Sequence, residues 1–283
     1  MKVVMGQLNT FVGDIKGNTE KAIQVSRDAY TEGQDTLVVF PELTLTGYPP
    51  EDLLMRDSLQ AQIENALIVL ASELPSDLYV IVGYPRRCDG ALYNAAGVLH
   101  GGQMVGEYFK QRLPNYGVFD EKRYFSEGDS PCVVDMAGLK VGITICEDIW
   151  HREPADAARR MGAELLINLN ASPFHRGKHK ERWEVLSNRA TEQSIPMIYV
   201  NQVGGQDELV FDGGSFAVNA DGELAVVAPD FEEGCFELWV ERTVRGVAIA
   251  QGVAAAALSD VAAVWQALVL GVRDYVEKNG FPG

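Results

Sequence analysis

The sequence predicts an α/β fold, and three observations carry that expectation. Short runs of β-branched residues alternate with longer segments of helical period, beginning with KVVMGQL at 2–8. Some neighbouring strands are separated only by Gly-bearing turns, so hairpins occur beside helical crossovers. The 283 residues are 47% hydrophobic and 23% charged, an ordinary globular balance, and a chain of this length forms one large domain or two small ones.

In order along the chain, the first strand leads to a predicted helix from about Asn18 to Glu32 and a second strand, TLVVF, at 36–40. A helix from about Leu59 to Ala71 precedes three consecutive strands, YVIVGYP (79–85), ALYNAAGVL (91–99) and MVGEYF (104–109). Residues 113–131, rich in Pro, Asn, Gly and Asp, read as irregular. Strand KVGITI (140–145) runs into CEDIW, followed by a helix from about Pro154 to Met161 and strand ELLINL (164–169). A helix from about Glu181 to Gln193, strand PMIYVN (196–201) and short strands near 214–219, 223–227 and 235–240 complete a body spanning 1–240. Residues 241–257 end in an Ala-rich run that reads as linker or helix, and a linker is expected. Beyond them Leu258, Val261, Ala262, Trp265, Leu268, Val269, Val272, Tyr275 and Val276 recur at helical spacing, giving an apolar face that needs a partner.

Charge narrows the partners. Forty acidic against 24 basic side chains give a formal net charge of −16, which repels phosphate backbones and anionic lipid head groups, so neither nucleic acid nor a membrane is expected. Cys88, Cys132, Cys146 and Cys235 are scattered without the C-x-x-C spacing of a zinc or redox site, which fits a reducing compartment. The apolar run in MKVVMGQLNTF is too short for a signal sequence and no later stretch has membrane-helix length, so a cytoplasmic protein is expected. His175 and His179 are four apart, but Gly177 lies between them in the cation-crowded HRGKHK, and no metal site is expected there.

Three polar residues fall at or just past predicted strand ends: Glu42 after TLVVFP, Lys110 after GEYF and Cys146 after KVGITI. Strand ends are where α/β sheets carry active sites. A cysteine nucleophile needs a base for its proton, and a nearby cation favours the thiolate and the oxyanion formed on attack at a carbonyl. Glu, Lys and Cys supply those roles without histidine. Taken singly, each has a plainer alternative, Cys146 as a core thiol and Glu42 and Lys110 as surface charges.

The strings around these residues are long and specific. VVFPELTLTGYPPEDLL (38–54), YFKQRLPNYGVFDEKRYF (108–125) and ITICEDIW (143–150) resemble the nitrilase, or carbon–nitrogen hydrolase, superfamily. Within it, GYPPEDL (47–53), NYGVFDE (115–121) and DELVFDGGSF (207–216) are similar to the glutaminase domain of glutamine-dependent NAD synthetases. The resemblance implies a nitrilase-like αββα sandwich, four-layered on dimerisation, and hence a homo-oligomer. It implies Cys146 as nucleophile, Glu42 as general base, Lys110 as stabiliser of the tetrahedral intermediate, and Glu121 as a further carboxylate beside the thiol. It also implies substrate contacts from Glu147 to an α-amine and from Tyr48, Tyr116, Trp150, Ser172 and Lys178 to the rest of glutamine. For Tyr48, Tyr116 and Trp150, ordinary packing is the alternative. Lys178 stands where some relatives are expected to carry Arg, keeping the charge without the planar fork.

A complete enzyme of that kind also has a synthetase domain that uses ATP and Mg²⁺ through a Ser-Gly-Gly-x-Asp-Ser loop, a string absent from these 283 residues. The tail 258–283 resembles that domain's opening helix, so the expectation is a glutaminase half, needing no cofactor itself and partnered by a synthetase domain. Two rivals stand beside it: an amidase of the same superfamily acting on another small amide, and a non-catalytic partner domain. An intact Glu42, Lys110 and Cys146 weighs against the second.

Overall fold

In the computed structural model, which describes residues 1–281, the strands fall into two large sheets and one small hairpin. The chain runs β1 (Lys2–Gln7), α1 (Ile15–Ala29), β2 (Thr36–Val39), α2 (Asp57–Glu73), β3 (Tyr79–Cys88), β4 (Ala91–His100), β5 (Gln103–Phe109) and β6 (Cys132–Met136). It continues through β7 (Leu139–Ile145), α3 (Arg152–Arg160), β8 (Leu165–Asn170), α4 (Lys178–Gln193), β9 (Met197–Asn201), β10 (Val203–Gln206) and β11 (Leu209–Asp212). The last elements are β12 (Phe216–Val218), β13 (Leu224–Val227), β14 (Gly234–Thr243), β15 (Gly246–Ile249) and α5 (Asp260–Lys278).

One sheet has the order β15-β14-β1-β2-β3-β4-β5 and the other β13-β12-β9-β8-β7-β6. Each is built on three parallel neighbours, β1–β2–β3 and β7–β8–β9, with antiparallel strands added at the margins. The central strands are buried on both faces, and their alternation assigns each face to a layer. Val3, Met5, Leu37 and Val39 meet Val141, Ile143, Ile145, Leu165 and Ile167 between the sheets. The intervening Val4, Val38 and Phe40 face out, against Ile15, Ala22 and Ile23 of α1 and Leu59, Ile63, Ala66 and Leu70 of α2. On the other side Leu166 and Met197 pack under Ala155 and Ala158 of α3 and Leu186 and Ala190 of α4. The result is the αββα sandwich.

Helix starts follow their caps. The Asp14 carboxylate accepts the Gly17 N–H, so α1 begins at Ile15, three residues before apolar periodicity alone suggests. Strand β6, the hairpin β10–β11 and β15 have no counterpart in the sequence-based expectation. Residues 241–257, expected to be a linker, are part of the sheet margin instead. β14 runs on to Thr243, β15 pairs with it antiparallel, and along 253–255 the Val227 N–H donates to the Val253 carbonyl while the Val227 carbonyl accepts the Ala255 N–H. The four-residue strand GVAI was hidden because exposed Thr243, Val244 and Arg245 interrupt any periodic signal before it.

The last helix is helical as expected, capped by Ser259, but docks through a narrower stripe. Ala267, Leu270 and Asp274 are buried against β10–β11, where Gly271 lets Val210 approach closely. The anticipated apolar face stays open: Trp265 is 65% exposed, and Val261, Leu268, Val272 and Tyr275 share its exposure.

Candidate active site

Glu42 follows β2 and Lys110 follows β5, both in the first sheet, whereas Cys146 follows β7 of the second. The site therefore straddles the sandwich at the carboxyl ends of its strands, where the backbone turns away and side chains can converge. Cys146 has φ of +45°, in the left-handed region, at the step from β7 into a short 3₁₀ turn spanning Cys146–Trp150. Such a sharp turn lifts a nucleophile clear of its strand at a cost in backbone strain.

Lys110 is fully buried and its ammonium has three acceptor contacts. Nζ donates to Glu42 Oε1 at 2.7 Å and to Glu121 Oε1 and Oε2 at 2.9 and 2.8 Å. Burial alone would lower its pKa, but the Glu121 and Glu42 carboxylates outweigh that and hold it well above the ordinary lysine value. Glu42 is fixed on both oxygens. Oε1 also accepts Asn94 Nδ2 at 2.7 Å, and Oε2 accepts the Ala171 N–H at 2.9 Å. Burial raises Glu121 to about 7, against the pull of Lys110, and the Tyr48 hydroxyl donates to its Oε1 at 3.0 Å.

The Cys146 thiol lies in the field of this cluster. Burial, then the Glu42 charge, push it well above the usual thiol range, while Lys110 acts in the opposite sense. That direction favours the thiol over the thiolate, with the Glu42 carboxylate and the Lys110 ammonium acting on it in opposite senses. The arrangement can accept a proton from sulfur and stabilise negative charge on an attacked carbonyl without any imidazole.

The other sequence-predicted residues fall into four groups. Tyr48 is buried and hydrogen-bonded to Glu121, so its hydroxyl supports the carboxylate. Glu147 accepts the Tyr116 hydroxyl at 2.8 Å and lies 3.5 Å from His151 Nε2. Lys178 Nζ sits 4.2 Å from the Trp150 ring centroid, a cation–π contact, and 3.1 Å from Glu181. Ser172 is buried between two partners, its N–H donating to Asn201 Oδ1 at 2.9 Å and its Oγ accepting Arg182 Nε at 3.1 Å. His179 Nδ1 lies 3.3 Å from Asp230 Oδ1, whose proximity raises the His179 pKa, and His175 contacts the Arg176 carbonyl.

Sequence reasoning missed the supports. Asn94 orients Glu42, and the fully buried Arg182 ties Ser172 and Pro173 to Asp212, whose two oxygens accept its Nη1 at 2.8 and 2.9 Å. Nothing in KHKERWE marks its Arg as buried. Asp212 in the quoted DELVFDGGSF string was the available signal, since an acid among apolar residues and glycines needs a cationic partner when buried.

Fold and site together define a class. The carbon–nitrogen hydrolase family matches residues 2–256, and the chain belongs to it. Among its relatives are glutamine-dependent NAD(+) synthetases. That of Acinetobacter baylyi is 38% identical over the whole of this chain and 51% of its own length, and that of Thermotoga maritima is 40% identical over 99% and 54%. The chain thus spans about half the length of the curated relatives it matches. The solved glutamine-dependent NAD+ synthetase of Acinetobacter baumannii superposes with a TM-score of 0.94 at 40% identity, over 100% of this chain and 53% of that one. An amidase from Nesterenkonia sp. shares the fold at a TM-score of 0.71 and 23% identity, over 84% and 89% of the two chains. The matched region runs to 256, past the expected body of 1–240, in line with β14 and β15 completing the sheet. Among the described residues no helix is long and apolar enough to cross a membrane.

Proposed function

We propose that this chain is a glutamine amidohydrolase, the glutaminase unit of a glutamine-dependent NAD synthetase, whose ammonia serves amidation of deamido-NAD by a synthetase domain. The observation that carries it is the buried Lys110 ammonium held by Glu42 and Glu121 in a site whose charges act on Cys146. Glu42 takes the thiol proton as sulfur bonds to the side-chain amide carbon, and the oxygen's developing charge is met by Lys110. The carbon–nitrogen bond then breaks, Glu42 returns the proton, and ammonia leaves a γ-glutamyl thioester. Water gives a proton to Glu42 and its oxygen to the acyl carbon; the carbon–sulfur bond breaks, glutamate departs, and sulfur regains the proton. Glu147 receives the substrate α-amine, displacing the Tyr116 hydroxyl, and Ser172, Trp150 and Lys178 complete the pocket.

These steps use protein groups and water alone; ATP and Mg²⁺ belong to the amidation. The test is ammonia release from glutamine compared with asparagine, other ω-amides and N-carbamoyl compounds. Glutamine is expected to be preferred, whereas equal or better turnover of another amide would favour an amidase of different specificity. Cys146→Ala is expected to abolish release while the fold persists. Cys146→Ser is expected to be nearly as inactive, because Glu42 then faces a much weaker acid than a thiol.

A further inference from the structure

Asp148 lies two residues beyond Cys146, is fully buried, and accepts four hydrogen bonds. Oδ1 takes the backbone N–H groups of Gln111 and Arg112 at 3.0 and 2.8 Å. Oδ2 takes the Ile145 N–H and the Tyr108 hydroxyl, each at 2.9 Å. Tyr108 precedes Lys110 by two residues and Gln111 and Arg112 follow it directly, while Ile145 immediately precedes Cys146. One carboxylate therefore grips both flanks of Lys110 and the near flank of Cys146, across two different sheets.

The Lys110 backbone is otherwise held by its N–H to the Asn94 carbonyl and by the Gly128 N–H on its own carbonyl. Neither bond reaches the strand that carries Cys146. We infer that Asp148 is a positioning residue that sets the distance between the Lys110 ammonium and the Cys146 sulfur. The inference rests on the proposed roles of Lys110 and Cys146.

All four partners donate, so the bridge needs a carboxylate with acceptors on both oxygens. Burial raises Asp148 to about 6, and the Ile145 N–H, Lys110, Tyr108 and Arg112 N–H work against that rise. An amide has almost the same shape but turns an NH₂ toward one donor pair, so Asp148→Asn breaks one side of the bridge while preserving volume. Displacements of about 1 Å in such assemblies lower rates by around 10²-fold.

The experiment compares wild type, Asp148→Asn and Tyr108→Phe in the full chain, with rates expressed per Cys146 thiol counted by mass-detected alkylation. Asp148→Asn is expected to lower kcat for glutamine by about 10- to 100-fold with KM changed less than about threefold, in line with a geometric loss. It is also expected to slow the alkylation of Cys146 by iodoacetamide, a readout that needs no substrate. Tyr108→Phe removes one of four bonds and is expected to cause a several-fold kcat loss in the same direction. A purely structural role would reduce the number of competent sites and leave each at the wild-type rate, which would overturn the inference. Should Asp148→Asn not fold, an unchanged kcat and alkylation rate in Tyr108→Phe would overturn it equally. Wild type that releases no ammonia from glutamine refutes the proposed function instead, and the alkylation rates still decide the role of Asp148.

Discussion

A buried lysine between two carboxylates is held as an ion, because a neutral amine there would leave buried carboxylate charge without a counterion, at a cost of several kcal/mol. Its charge is thus present before substrate arrives, and the work it can do is to meet negative charge that develops during attack. Lys110→Met is accordingly expected to lower kcat by about 10² or more, roughly 3 kcal/mol, with a smaller change in KM. Normal kcat with only a raised KM would contradict that role. Glu121 gives a pH prediction whose sign is fixed by its shift. Its folded value of about 7 lies above the ordinary 4.5, so between those pH values the folded chain holds more protons than the unfolded one. Stability from this group is full below about 4.5 and is lost as pH rises through about 7. Urea midpoints at pH 5 and 8 are expected to show wild type losing ground to Glu121→Gln as pH rises; a pH-independent difference would mean that Glu121 does not titrate in this window. At this scale the sequence showed the groups but not their supports. Glu42, Lys110 and Cys146 follow strands that periodicity locates, which made each a candidate, but it was the strings around them rather than their spacing that joined them into one expected site. Asn94, Asp148 and Arg182 act through burial and partners distant in sequence, which no local pattern encodes.

Helices long enough to show their apolar period were legible within a few residues, α2 and α4 being examples although neither start is capped by a side chain. The ones that escaped are short and interrupted: β10 and β11 contain Gly204, Gly205 and Asp212, and β15 is four residues long. Their existence depends on neighbours, and for β10–β11 one neighbour is α5. That helix is latched by a single buried acid. Asp274 Oδ2 accepts Asn9 Nδ2 and the Gly205 N–H, both at 2.7 Å, while Lys278 Nζ donates to the carbonyls of Thr10 and Gly205 at 2.9 and 3.0 Å. Burial lowers the Lys278 pKa, and Asp274 opposes that shift, so acid and lysine are best removed separately. Asp274→Ala leaves a buried N–H and an amide without acceptors, at about 1–3 kcal/mol for each. The expected outcome is faster proteolysis within 244–259 and faster amide exchange in α5, with thermal unfolding of the sandwich little changed. Unaltered cleavage would show that Ala267 and Leu270 hold the helix without the latch.

Across the whole molecule, the chemistry proposed at Cys146 and the surface of α5 point the same way. Ammonia formed at a strand-end site must reach an acceptor, and the proposed acceptor, an activated deamido-NAD, requires an ATP-binding loop. The 283 residues contain no Ser-Gly-Gly-x-Asp-Ser string, and they span 51% of the Acinetobacter baylyi relative. The α5 face carrying Val261, Trp265, Leu268 and Val272 is an apolar patch of the kind that marks a contact surface. This polypeptide by itself is therefore expected to hydrolyse glutamine, to release ammonia into solvent, and to form no NAD from deamido-NAD, ATP and Mg²⁺. The measurements are ammonia and NAD formation by this chain alone, calorimetry with ATP and Mg²⁺, and the same assays after adding a synthetase domain in trans. Saturable ATP binding, or NAD made without the added domain, would overturn the division of labour proposed here.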